Sequence, residues 1–295
     1  MSTQLFLSRW LAAALVLLLA PINATSGVSP PMFKDVVYAR LGDQALALDL
    51  YLPAGIQEPS LVVYLHGGAW SAGDKSLYPA FLVARGFAVA SVDFRSTSDA
   101  RFPANVHDIK AAIRFLRAKA RTYGYRSDRI AIAGASSGAH LALLVGVTQG
   151  NAELEGTEGE ERSQSSGVQA IVSFFGASNL TSILAQSTPF GLTVRIPALQ
   201  RLLGGSPEEQ PELARLASPV GHVDRGDPPL LLLHGDQDRQ MPINQLHEMQ
   251  AAYEQAGLQV QTVIVHGAGH DTVPFWQGAP ADRAVAFLRG ALGAH

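Results

Sequence analysis

The five residues Gly134-Ala135-Ser136-Ser137-Gly138 constrain the fold more than any other stretch of this chain. They follow a β-type run at 129–133 and precede an apolar, helix-forming run at 139–147. A G-x-S-x-G sequence between a strand and a helix is the setting of a nucleophile elbow. The turn is so tight that its serine takes a strained backbone conformation and projects Oγ clear of the chain. Glycine is needed two residues to either side because neighbouring backbone comes too close for a side chain. Centring the pattern on Ser137 puts Ala135 and Ala139 at the glycine positions; centring it on Ser136 puts Gly134 and Gly138 there. Ser136 is therefore favoured over Ser137 as the nucleophile, with a carbonyl as its target.

A serine hydroxyl attacks poorly unless a base takes its proton, an acid orients that base, and preorganised N–H donors receive the oxyanion. The donors are sought in His66-Gly67-Gly68-Ala69-Trp70, directly after the apolar run at 61–65. The amides of Gly68 and Ala69, joined by that of Ser137, are the candidate oxyanion hole. The acid should follow the apolar run at 230–233, where Asp236 and Asp238 both lie. Asp238 sits deeper in its loop and is favoured; Asp236 is better placed to cap the turn. The base should follow the run at 260–265. His270, in a glycine-rich loop, is favoured over His266 at the strand end. The order Ser136, Asp238, His270 is the one such a sheet requires.

The rest of the chain alternates strand and helix. A hairpin is expected at 36–39 and 45–51, further strands at 61–65, 88–92, 130–133, 170–174, 230–233 and 260–265, and helices at 76–84, 103–122, 137–147, 244–256 and 281–292. Such alternation predicts a mostly parallel sheet covered on both faces. Two stretches break the rhythm. The polar, acidic segment 153–166 reads as an exposed loop. Residues 178–220 carry prolines and apolar residues but no strand, and read as a small helical cap or a surface excursion. With 47% hydrophobic and 16% charged residues the chain easily builds a large core.

Residues 1–24 have the form of a secretory signal peptide: Arg9, then an apolar run at 10–20, then Pro21-Ile22-Asn23-Ala24. Cleavage after Ala24 is expected, with Gly27 as a second option and an uncleaved anchor as the other reading; the folded domain is expected over 28–295. The apolar run is short for a membrane span, so no stable insertion is expected after cleavage. The absence of cysteine excludes disulfides and a thiol nucleophile, and fits a periplasmic or secreted bacterial protein. A net charge of −3 without a basic run argues against nucleic acid. Residues 68–76 nearly spell a phosphate loop, but Asp74 intrudes between Gly73 and Lys75. Scattered histidines and the lack of an HExxH give no metal site. His140 reads as a packed, hydrogen-bonded residue, and Asp93 and Asp108 as anchors of loops or helix ends.

Four segments together resemble the α/β-hydrolase superfamily, in the esterase/lipase branch with an HGGxW loop: 66–70, 134–138, the loop around Asp238 with Met241-Pro242, and 267–270. The resemblance implies an α/β fold with a central sheet of about eight strands, a Ser-Asp-His triad, no cofactor, and ester substrates. Residues 73–76 and the helix from Pro103 are similar to the carbohydrate acetyl and feruloyl esterases of this branch. Ala69 departs from the third glycine of hormone-sensitive-lipase types. Kynurenine formamidases share the HGGxW form, so an arylformamide substrate stands as one alternative and a non-catalytic binding protein as another. Trp70 is expected to wall a small acyl pocket, or simply to be core, and Phe275 and Trp276 to touch the alcohol side. The expected substrate is a small or polysaccharide-linked ester with a short acyl group, acetyl or feruloyl.

Overall fold

The structure, a computed structural model, describes residues 32–293; the expected signal segment lies outside them. Eight strands form one sheet: β1 (Phe33–Leu41), β2 (Gln44–Tyr51), β3 (Leu61–Leu65), β4 (Ala88–Val92), β5 (Ile130–Ala135), β6 (Ala170–Phe174), β7 (Leu230–Gly235) and β8 (Val260–Val265). Their spatial order is β1-β2-β4-β3-β5-β6-β7-β8. The β1–β2 and β2–β4 pairings are antiparallel, and all others are parallel. β3, β4, β5, β6 and β7 are buried along their whole length. That is why they read as continuous apolar runs instead of alternating ones.

Helices α1 (Ala80–Ala84) and α9 (Gly278–Leu292) contribute to the core on one face of the sheet. On the other lie α2 (Ala104–Tyr123), α3 (Ser137–Gly146) and α8 (Asn244–Ala256). A short helix α4 (Ala152–Glu155) follows α3. The excursion after β6 folds as α5 (Ile183–Gln186), α6 (Pro189–Leu203) and α7 (Pro211–Leu216). Ala198, Leu199, Leu202 and Leu203 of α6 join the core above the sheet, so this segment is a packed cap. No helix among the described residues is long and apolar enough to cross a membrane.

Two expectations need correction. The helix expected at 76–84 begins only at Ala80, because Pro79 pushes Tyr78 out of the helical region; Asp74 instead accepts the Ser76 amide in a tight turn. The acidic segment 153–166 is no free loop. Glu155 pairs with Arg114 and Lys110 of α2, and Glu158 with Arg95, which itself forks onto the buried Asp108.

Parallel pairing of β3 with β5, Leu65 opposite Gly134, brings the two functional loops to the same sheet edge. The approach is extreme. A Cβ on Gly138 would meet the carbonyl oxygens of Leu65 and His66, and one on Gly134 would meet the Gly138 backbone. Gly138→Ala is therefore expected to destabilise the protein by at least ~1–3 kcal/mol, the usual cost of forcing atoms into a filled interior. A denaturation midpoint equal to that of the parent would refute this close contact.

Candidate active site

The edge at the C-terminal ends of the central strands is stitched laterally. The Ser136 amide donates to Phe174 O, the Phe175 amide to Leu233 O, and the Gln237 amide to Ala268 O. These bonds bring together the loops after β5, β7 and β8. Ser136, Asp238 and His270, 134 residues apart at their widest pairing, meet there as a result.

Ser136 has φ 55° and ψ −121°, outside the ordinary regions for a side-chain-bearing residue. A conformation of this kind costs roughly 1–3 kcal/mol and persists only where its surroundings enforce it. The enforcement comes from the Phe174 bond before it and from the His140 amide donating to Ser136 O after it. Ser136 Oγ is 2.8 Å from His270 Nε2, and His270 Nδ1 is 2.7 Å from Asp238 Oδ2. With Nδ1–H donating to the carboxylate, Nε2 is the acceptor facing the serine.

The Asp238 side chain is fully buried. Burial alone pushes its carboxyl up, but His234, His270 and the Met241 amide bond to it and hold it well below the usual carboxylate range. Its Oδ1 also accepts the Gln240 amide at 2.8 Å. The rivals pair elsewhere. Asp236 accepts from His266 Nδ1 at 2.8 Å and from the Gly267 amide, on the surface and away from Ser136. Asp236 thus caps the turn, and His266 is tied to it.

The loop after β3 turns through three successive positive φ values, at Gly68, Ala69 and Trp70. The amides of Gly68, Ala69 and Ser137 donate to no group among the described residues. Gly67, Gly68 and Ala69 line the same cleft as Ser136 and His270, a hollow of about 560 Å³. Unpaired amides beside a nucleophile are what an oxyanion hole presents.

Trp276 borders this cleft, and its Nε1 is buried without a partner among the described residues. Trp70 does not. Its backbone turn sends the ring inward, where it is 2% exposed and donates from Nε1 to His140 Nδ1 at 3.1 Å. Trp70 is therefore a core residue and no acyl-pocket wall. Phe275 is likewise fully buried, against Phe174 and Phe175. Phe175 takes a place on the cleft instead, its ring centroid 4.8 Å from that of His270. Sequence reasoning also missed Arg195 of α6, which lines the cleft although only 1% exposed. Its signal was a cation set between Val194 and Ile196 in the cap.

His140 is fully buried between two bonds of opposite sense: it accepts from Trp70 and its Nε2–H donates to Ala217 O at 2.7 Å. Burial pushes its pKa down to about 4. The folded value lies below the unfolded one of ~6.5, so this neutral imidazole contributes stability in full above ~6.5. That contribution is lost as pH falls towards 4, by ~3 kcal/mol in all. Denaturant unfolding between pH 8 and 4 should show a steeper loss in the parent than in His140→Asn. Parallel profiles would count against it.

Comparison with known proteins identifies relatives of this fold. The BD-FAE family model matches residues 48–253. Esterase LipC of Mycobacterium tuberculosis is 30% identical over 239 residues, covering 77% of this chain and 57% of that protein. The chain spans about half the length of the curated relatives it matches. Among solved structures, a truncated carbohydrate esterase from gut microbiota superposes with a TM-score of 0.78 at 29% identity, covering 88% of this chain and 96% of that one. A bifunctional GH43-CE protein of Bacteroides eggerthii gives 0.78 at 33% identity, over 88% of this chain and 35% of its own. The elbow, the donor loop and the acid and base loops all stand on the shared sheet, and the chain belongs to the BD-FAE family of α/β-hydrolase esterases.

Proposed function

We propose that this protein is a serine carboxylic-ester hydrolase. The observation that carries the proposal is the unbroken relay from Ser136 Oγ through His270 to Asp238, at 2.8 and 2.7 Å, beside amides that have no other acceptor among the described residues. Ser136 Oγ attacks the acyl carbonyl as its proton passes to His270 Nε2. Asp238 stays ionised and fixes the Nδ1–H tautomer. The Gly68, Ala69 and Ser137 amides receive the oxyanion. His270 returns the proton to the leaving alcohol, and water then repeats the sequence on the acyl-enzyme to release the acid.

The substrate reading is a short acyl group, acetyl or feruloyl, on a carbohydrate alcohol. It is supported by the carbohydrate esterases among the structural relatives and by the modest cleft. The N-terminal segment supports export to the periplasm or beyond. Ser136→Ala is expected to abolish labelling by a fluorophosphonate and nearly all ester turnover, with ~10³-fold over water remaining from the oxyanion donors. Retained labelling together with its loss in Ser137→Ala would overturn the assignment. On 4-nitrophenyl esters of two to sixteen carbons, kcat/KM should fall with chain length; a maximum at the longest would refute the short-acyl reading.

A further inference from the structure

Arg195 stands out among the buried residues. It is the largest fully buried side chain of the described structure, and it lies on the wall of the Ser136 cleft. Its Nε and Nη1 have no hydrogen-bond partner, and no carboxylate pairs with it among the described residues. The guanidinium carbon lies 6.0 Å from the Trp70 ring centroid. That contact offsets only part of the loss of water around a full charge. Burial pulls its pKa down, against the attraction of Asp238, yet a guanidinium stays protonated in proteins. Asp238 itself is committed to His234, His270 and two amides. The carboxylate that does line the cleft, Asp271, accepts the Val273 amide.

Buried cations are ordinarily paired. Here the pairing is left to whatever occupies the cleft. Sugar hydroxyls would satisfy an N–H group but not the charge, whereas a carboxylate on the cleft satisfies both.

We propose that Arg195 is a specificity residue that binds a carboxylate carried by the ester substrate, on either its acyl or its alcohol part. This rests on the ester-hydrolase reading and adds to it an anionic substrate class. α6 supplies the residue, so the cap takes part in substrate choice.

The test compares isosteric pairs on the purified wild-type protein, after subtraction of spontaneous hydrolysis. For the acyl side, mono-4-nitrophenyl succinate is set against 4-nitrophenyl 4-methylpentanoate. For the alcohol side, 4-acetoxybenzoate is set against 4-isopropylphenyl acetate. A carboxylate-to-neutral ratio in kcat/KM of ~10 or more is expected on one side, as for one good charge-assisted contact. Arg195→Gln should collapse that ratio, and Arg195→Lys should restore part of it. Ratios at or below one on both sides, with neutral esters turned over, overturn the proposal. If no ester is turned over and Ser136 takes no fluorophosphonate, the hydrolase reading fails instead. Calorimetric binding of glutarate and benzoate to Ser136→Ala, against Ser136→Ala with Arg195→Gln, then decides the role of Arg195 alone. Binding of either acid that needs Arg195 supports it; no binding, or binding indifferent to Arg195, refutes it.

Discussion

Everything at this site depends on how closely the turn after β5 presses on the end of β3. Gly138 sits against the carbonyls of Leu65 and His66 with no room for a Cβ. This contact sets the start of α3 directly beside the loop 66–70. The Ser137 amide thereby stands next to the loop that carries the amides of Gly68 and Ala69. The same tightness drives Ser136 to its positive φ. Strain in one residue and closeness between two loops are one geometric fact, and it is paid for by the fully buried strands on both sides.

Much of this was legible beforehand because it is local. Strands buried on both faces announce themselves as unbroken apolar runs. The two glycines around Ser136 announce a backbone collision. Loop position told Asp238 from Asp236 and His270 from His266. What escaped was non-local or sterically fine. Nothing near Trp70 in the chain says that its ring turns towards His140, since the partner is 70 residues away. The apparently loose segment 153–166 is docked by ion pairs to Lys110 and Arg114 of α2, partners 45 and 41 residues away in the chain. Arg195 belongs to a helix whose placement over the cleft no periodicity reveals.

The two buried charges nearest the reaction are treated in opposite ways. Asp238 is buried and fully bonded, so its charge is held by the protein itself. Arg195 is buried and unsaturated. Retaining an incomplete cation inside a fold lowers stability, because a buried group lacking a partner bears its whole desolvation cost. The fold thus holds the Asp238 carboxylate rigidly and leaves the Arg195 cation without a partner on the wall of the Ser136 cleft.

His140 joins three parts of the molecule that the chain keeps far apart. Through one ring nitrogen it holds Trp70, next to the oxyanion amides; through the other it holds Ala217, just after α7 in the cap. It rises from the first turn of α3, immediately behind the elbow. An imidazole that must accept on one side and donate on the other acts as a keyed joint. The cap cannot lift at Ala217 without removing the acceptor that fixes this tautomer. Any such movement is therefore felt at Trp70 in the loop 66–70, so the cap and that loop are coupled through one imidazole.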